Sequence, residues 1–274
     1  MTRGDYGTIN AIRRAMGILE QLAATRRGLS VTELATAAQL NKATVFRILA
    51  SLLREGYVEQ DSQSERYRLT AKIASLAFAF IDTMGFEEMC HPYFEELARE
   101  SGELVQLAVV QDVDMIFVAK AEGNQRVKVV PLLGRRVTLH ASAAGKVWLA
   151  SLPEDAAIQV LLRHGMPRLT DRTLTTIDAS RAEWAQVRRQ GYAATVREYW
   201  DDVNSVGAPV RSGANRSVVA AVTVAGPSSR FGPDAMRALV PRLMAVADAI
   251  GRVWPAWTEP SPAADGREPA PRTG

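Results

Sequence analysis

Ser30-Val31-Thr32-Glu33-Leu34-Ala35-Thr36-Ala37-Ala38-Gln39-Leu40-Asn41-Lys42-Ala43-Thr44-Val45-Phe46-Arg47-Ile48-Leu49 is the stretch that decides the fold of the first part of the chain. Ser30 and Glu33 have the S-x-x-E spacing of a capping box, in which each satisfies an orphan N–H at a helix start. The spacing predicts a helix to about Ala38, a short turn, and a second helix capped by Asn41. In that second helix Val45, Ile48, Leu49 and Leu52 recur at i, i+3, i+4 and i+7 and face a core. The opposite face and its flank carry Ala43, Thr44, Arg47, Ser51 and Arg54.

Outward from this pair, Gly56 ends the helix, and Tyr57-Val58-Glu59 and Arg66-Tyr67-Arg68-Leu69 flank a polar turn, the pattern of a β-wing. Upstream, Ile9, Ile12, Met16 and Leu19 form the apolar stripe of a preceding helix. A capping box or a pair of short amphipathic helices is, alone, more often plain core. The order of three helices, a capped turn, a basic outer face and a hairpin bearing arginines points to a winged helix-turn-helix that binds double-stranded DNA. On this reading Thr44 and Arg47 contact bases, Ala43 lies on the same DNA-facing surface, and Lys42, Ser51, Arg66 and Arg68 mainly meet phosphates. Residues 1–70 hold 10 Lys and Arg against 7 Asp and Glu, and the remainder is balanced at 23 of each. The chain's excess charge of +3 thus lies in this part, and one copy presents a modest electrostatic footprint.

The 274 residues suit an α+β protein of more than one domain: 9–70 as the winged domain, 71–84 as a linker helix, 85–254 as a larger domain. Residues 255–274, rich in Pro, Ala and Gly, are expected to be a disordered tail. In the linker Ile73, Leu76, Ala77, Phe80, Ile81 and Met84 cover more than one helical stripe, which suits contact with a second subunit. A helix around His91–Ser101 precedes expected strands at 104–111, 115–121 and 127–133. Helices near 141–151, 154–164 and 179–190 follow, then strands at 192–198, 203–211 and 217–225 and a closing helix at 233–253. Hairpin-linked strands with helices packed on them make a mainly antiparallel sheet. In 217–225, Ser217, Val219, Ala221, Thr223 and Ala225 share one face, and Val218, Ala220, Val222 and Val224 the other. With Ser205, Gly207 and Pro209 on the neighbouring strand, these small residues leave room for a small molecule or for a closely packed helix.

Catalytic patterns are missing. Ala144-Gly145-Lys146 lacks the upstream glycine and the following Ser or Thr of a phosphate loop, and no G-x-S-x-G elbow occurs. Cys90 is the single cysteine, which excludes an intrachain disulfide and a Cys-rich zinc site. His91, His140 and His164 lack a metal-ligand spacing, so neither metal nor cofactor is expected. No apolar run suits a membrane span, and no signal peptide is recognisable, so a soluble cytoplasmic protein is expected.

From about Ile9 to Val253 the chain resembles the IclR family of transcriptional regulators. The motifs that carry the resemblance are Asn41-Lys42-Ala43-Thr44-Val45-Phe46-Arg47-Ile48-Leu49 and Glu55-Gly56-Tyr57-Val58-Glu59 in the winged part. In the large part they are the stretches 134–146, 203–210 and 224–227. The resemblance implies a GAF-like effector domain, dimers or tetramers, palindromic operators, and small organic or aromatic acids as effectors. It places the effector at the backbone of Ala143 and Ala144, at Ser205 where many relatives have cysteine, and at Thr223 where serine is common. Thr195 stands where aspartate can occur and Ala225 where serine can, which argues against a ligand identical to that of the small-oxoacid sensors. Trp148, Tyr199 and Trp200 are candidate apolar walls. An enzyme with a DNA-binding appendage, and a DNA-binding protein whose large domain only oligomerises, remain as alternative readings.

Overall fold

Ser30 and Glu33 close the expected capping box: the Glu33 N–H donates to Ser30 Oγ at 3.3 Å, and the Ser30 N–H donates to Glu33 Oε2 at 2.8 Å. The computed structural model describes residues 9–131, 133–212 and 216–254. The chain divides between Thr83 and Met84 into two compact units. The first contains α1 (Asn10–Ala23), α2 (Val31–Ala38), α3 (Lys42–Arg54), β1 (Val58–Gln60), β2 (Tyr67–Leu69) and most of α4 (Ala71–Met84).

Gln39 turns the chain after α2 in the left-handed region, at φ 53°, and Asn41 Oδ1 accepts from the Thr44 N–H at 2.8 Å to start α3. Ile18, Leu22, Leu34, Val45, Leu49, Leu52, Val58 and Tyr67 form the core beneath this pair, with Ile48 half-buried at its edge. Of the anticipated stripe on α1 only Leu19 packs against that core: Ile9, Ile12 and Met16 are 64%, 55% and 52% exposed, and Ile18 and Leu22 are the buried residues of the helix. β1 and β2 pair antiparallel with Val58 opposite Leu69, and Tyr67 also exchanges backbone hydrogen bonds with Leu29. Lys72 fastens the first turn of α4, donating to the Glu55 carbonyl at 2.6 Å with its ammonium 4.4 Å from the Tyr57 ring centroid.

The second unit is built on β3 (Leu104–Gln111), β4 (Asp114–Ala121), β5 (Ala193–Val196), β6 (Val203–Arg211) and β7 (Val218–Pro227). All pairs are antiparallel, in the order β4-β3-β7-β6-β5. On one face α5 (Phe86–Ser101) and α9 (Pro233–Arg252) pack through Phe94, Leu97, Leu243 and Val246 against Val105, Leu107, Val206 and Val224. On the other, α6 (Ala143–Ser151), α7 (Glu154–His164) and α8 (Ile177–Gln190) bring Val147, Trp148, Leu161 and Trp184 against Ala108, Val110 and Ala221. This is the two-sided burial that hairpin strands with helices on them require.

Two expectations change. The stretch 127–133 is not a strand among its described residues: Val127 and Val130 are each 71% exposed and only Val129 is buried. The edge of β4 is met instead by 134–137, where the Gly134 N–H donates to the Phe117 carbonyl and the Val137 N–H to that of Met115, both at 2.8 Å. In β7 the register shifts opposite Val210/Arg211, so Val219 and Ala220 both join the α5/α9 core, whereas Val218 packs on the α6 side. A bulge inverts the alternation before it and leaves Thr223 and Ala225 on their expected face. The tail 255–274 and the turn residues 213–215 lie outside the described residues.

Arg66 ties the wing to the start of α2. Its guanidinium donates to both carboxylate oxygens of Glu33, at 2.7 and 2.8 Å, and to the Gly28 carbonyl at 3.2 Å. The Ser30 N–H, with Arg66 and the Ser30 hydroxyl, holds the Glu33 carboxyl down to about 2 from its ordinary 4.5. A depressed carboxyl contributes stability that is complete above the ordinary value and lost as pH falls through the folded one. The expected outcome is that Glu33→Gln melts below wild type near neutral pH, and that the gap closes between pH 4.5 and about 2 in pH-dependent thermal melts.

Candidate ligand and nucleic-acid sites

The outer face of α3 presents Lys42, Ala43 and Arg47 to solvent, with Thr44 half-buried at the capped start. Lys42 and Arg47 form no ion pair among the described residues. A free guanidinium on the second turn can donate two parallel hydrogen bonds to a guanine edge. Ser51 donates its hydroxyl to the Arg47 carbonyl at 3.0 Å, so its hydrogen serves the helix. In the wing, Arg66 is engaged by Glu33, and Arg68 by Asp61 at 2.9 Å. Phe46, 58% exposed beside Arg47, is a further residue of this surface that the sequence reading missed.

In the second unit, Ala143, Ala144, Thr195, Ser205, Thr223 and Ala225 all line one cavity. It lies between the sheet, the start of α6 and the segment 129–141, with Tyr199 and Trp200 as apolar wall. Trp148 is not part of that wall; it is 3% exposed in the core under α6. Strand register explains the grouping: Thr195 pairs with Ser205, Ser205 with Ala225, and Gly207 with Thr223. The Thr195 and Ser205 hydroxyls lie 2.7 Å apart, so one donates to the other and leaves one O–H for a ligand. The cavity measures about 60 Å3, several times the ~10–15 Å3 that one water needs. That volume fits a small molecule.

Two glycines let the start of α6 descend onto this floor. A Cβ at Gly207 would stand 3.1 Å from the Ala143 Cβ, and one at Gly145 would stand 2.2 Å from the Leu139 carbonyl oxygen. Ser142 caps the helix by accepting from the Gly145 N–H at 3.1 Å, and the first helical bond runs from the Lys146 N–H to the Ser142 carbonyl at 3.0 Å. The N–H groups of Ala143 and Ala144 precede that bond, so the helix itself offers them no carbonyl. They border the cavity together with Arg136, whose guanidinium is 3.4 Å from Asp114 and largely exposed at the rim. No Asp or Glu is among the lining residues. N–H donors, a helix start and an arginine suit an anionic or acceptor-rich guest.

Gln106 and Arg136 are lining residues that the sequence reading missed. Gln106 left a signal, as the single polar residue inside the run from Leu104 to Val110. Arg136 left none, because only the return of its segment along β4 brings it there.

Lys146, which resembled the end of a phosphate loop, is 2% exposed and joins Glu198 at 2.6 Å and Glu183 at 3.1 Å. Burial pushes the Glu198 carboxyl above its ordinary range, and the Lys146 ammonium opposes that shift. Thr173 donates its hydroxyl to the Glu198 carbonyl and Thr170 to that of Arg197, both at 2.7 Å. These bonds position the turn that carries Tyr199 and Trp200. The histidines are separate: His91 is exposed, the Nε2 of His140 donates to the Pro167 carbonyl at 3.0 Å, and that of His164 to Val113 at 2.9 Å. Burial lowers the His140 pKa. Cys90 is buried, and its thiol is pushed up to about 12, which leaves it no reactive thiolate. Among the described residues no helix is long and apolar enough to cross a membrane.

Comparison with known proteins bears on both units. The family model for the bacterial transcriptional regulator IclR C-terminal domain matches residues 78–252, and that for the IclR helix-turn-helix domain matches 11–62. The chain belongs to the IclR family. Among its relatives, the glycerol operon regulatory protein of Streptomyces griseus is 33% identical over 246 residues, covering 89% of this chain and 96% of its own. A solved IclR regulator from Silicibacter sp. is 27% identical, with a TM-score of 0.75 over 92% of this chain and all of that one. An IclR homologue from Microbacterium hydrocarbonoxydans, complexed with 4-hydroxybenzoate, is 23% identical and shares the fold at a TM-score of 0.72, covering 88% and 97%. The protein is therefore a ligand-responsive, DNA-binding transcriptional regulator of the IclR type.

Proposed function

We propose that this IclR-family chain reads a two-fold operator as a dimer or tetramer, and that a small organic acid in the second unit's cavity modulates that binding. The observation that carries the effector reading is the composition of the cavity: helix-start N–H groups to which the helix offers no carbonyl, hydroxyls and an arginine, with no carboxylate among the lining residues. The ligand carboxylate sits at Ala143 and Ala144, and Thr195, Ser205, Thr223 and Ala225 with the Tyr199–Trp200 edge hold its body. An aromatic acid suits the two rings, and the relative that carries 4-hydroxybenzoate has the same fold.

At the operator, Thr44 and Arg47 contact the bases, Ala43 lies on the same surface, and Lys42 meets a phosphate. Ser51 flanks the groove with its hydrogen already engaged. Arg66 and Arg68 reach phosphates only by sharing Glu33 and Asp61, so their main service is to hold the wing. Assembly goes through α4, where Leu76, Phe78 and Phe80 are 54%, 69% and 58% exposed. A winged domain with an excess of only three positive charges gains most from reading two half-sites at once.

Three measurements test these parts. Arg47→Ala is expected to weaken operator binding by about 1–3 kcal/mol and to relax specificity at one base pair; unchanged preference in a selected-site binding assay removes the base-reading role. Leu76→Glu is expected to dissociate the dimer in sedimentation and to lower operator affinity with it. In a thermal-shift screen, small carboxylic acids are expected to raise the melting temperature where their primary amides do not, and Ser205→Ala with Thr223→Val to reduce that rise. Equal shifts by acids and amides would remove the carboxylate assignment.

A further inference from the structure

Gln106 stands in the middle of β3, opposite Thr223 of β7 and Lys120 of β4, with its side chain against the cavity. It is 4% exposed, and its Nε2 has no hydrogen-bond partner. Thr223, opposite on β7, carries a hydroxyl but forms no hydrogen bond with this amide nitrogen, and the lining residues Phe117, Val129 and Ala225 have apolar side chains. A buried primary amide carries two N–H donors, and leaving them unpaired opposes folding unless something else brings an acceptor. Folded proteins pair nearly all such groups, so an orphan aimed into a cavity is a demand placed on the guest. With the ligand carboxylate assigned to the start of α6, a second oxygen on the ligand is the acceptor left for this amide.

We infer that Gln106 is a specificity-determining residue of the cavity. Its amide takes an acceptor oxygen on the ligand that is separate from the carboxylate held at Ala143 and Ala144. The effector class is then an acid with a second oxygen function, a hydroxyl, oxo or second carboxylate group, and not a plain alkyl or aryl monocarboxylate. This rests on the acid reading of the cavity. Sites built to hydrogen-bond a ligand oxygen reject the analogue that lacks it far more strongly than apolar pockets reject an added group.

The test uses the full chain and matched probes: propionate against lactate, propionate against succinate, and benzoate against 4-hydroxybenzoate, measured by calorimetry. Wild type is expected to prefer the oxygen-richer member of at least one pair by about tenfold or more, and Gln106→Met to erase that preference while keeping the plain acid. Gln106→Glu keeps the shape but offers an acceptor in place of the donor, and is expected to disfavour the oxygen-richer probe further. Ligand-free Gln106→Met is expected to melt no lower than wild type, since it removes an unpartnered donor. A preference that survives in both variants, or acids that bind wild type without any preference, would overturn the role of Gln106 alone. A marked fall in the melting temperature of ligand-free Gln106→Met would show the amide satisfied within the fold and overturn it too. If none of these acids binds wild type, the acid reading itself fails and this inference falls with it.

Discussion

The seating of α6 on the sheet is the contact on which the second unit depends. Its first turn can reach the floor only because residues 145 and 207 lack a Cβ: the Leu139 backbone and Ala143 occupy the space that side chains would need. Interiors pack at near-crystalline density, so a methyl group inserted at either point displaces the helix or bends the strand. Lys146 then fixes the rotation of the helix, because a buried ammonium has to keep both Glu198 and Glu183 within reach. The same ion pairs locate Tyr199 and Trp200. Steric approach and buried charge thus set, together, the wall and the mouth of one cavity.

The winged unit solves a different problem with similar means. Short strands such as β1 and β2 are marginal by themselves, and here the wing is anchored by Tyr67 pairing with Leu29 and by Arg66 gripping Glu33. One carboxylate therefore caps α2 and holds the wing, so the start of the helix-turn-helix and the hairpin share a fixed point. The consequence is electrostatic. Arg66 and Arg68 enter the count of positive charge, but each already faces a carboxylate, whereas Lys42 and Arg47 on α3 form no ion pair among the described residues.

What was legible in the sequence follows from the range of each interaction. The caps at Ser30 and Asn41 act within three residues, and both were readable. Strand alternation put Thr223, Ala225, Ser205 and Gly207 on the correct face because antiparallel pairing preserves a period of two. It failed at Val218 and Val219, where a bulge inserts one residue and no composition cue marks it. The stretch from Val127 looked like a strand by propensity, yet it finds no pairing partner among the described residues, and burial of Val129 alone shapes it. Arg66 meets Glu33 across 33 positions, and Gln106 meets the cavity only once β3 lies beside β7. Such pairings belong to tertiary structure, and a single sequence shows their members without their meeting.

An effector alters operator affinity only to the extent that it binds two arrangements of the protein unequally. A tenfold change in affinity corresponds to ~1.4 kcal/mol of coupling, the scale of one hydrogen bond gained or lost. The floor of the cavity has little freedom to supply it, because α6 is held by Lys146 and by close backbone contact. The segment over the cavity differs: it is joined to β4 by a few backbone bonds near Gly134 and Val137, and it leaves Val127 and Val130 in solvent. Regions with few buried contacts and few ladder bonds are those whose ordering a ligand can change at low cost. On the proposed reading, the donors on the floor select the ligand, and the segment carrying Val129, Val130 and Arg136 is the part whose ordering an occupied cavity changes at least cost.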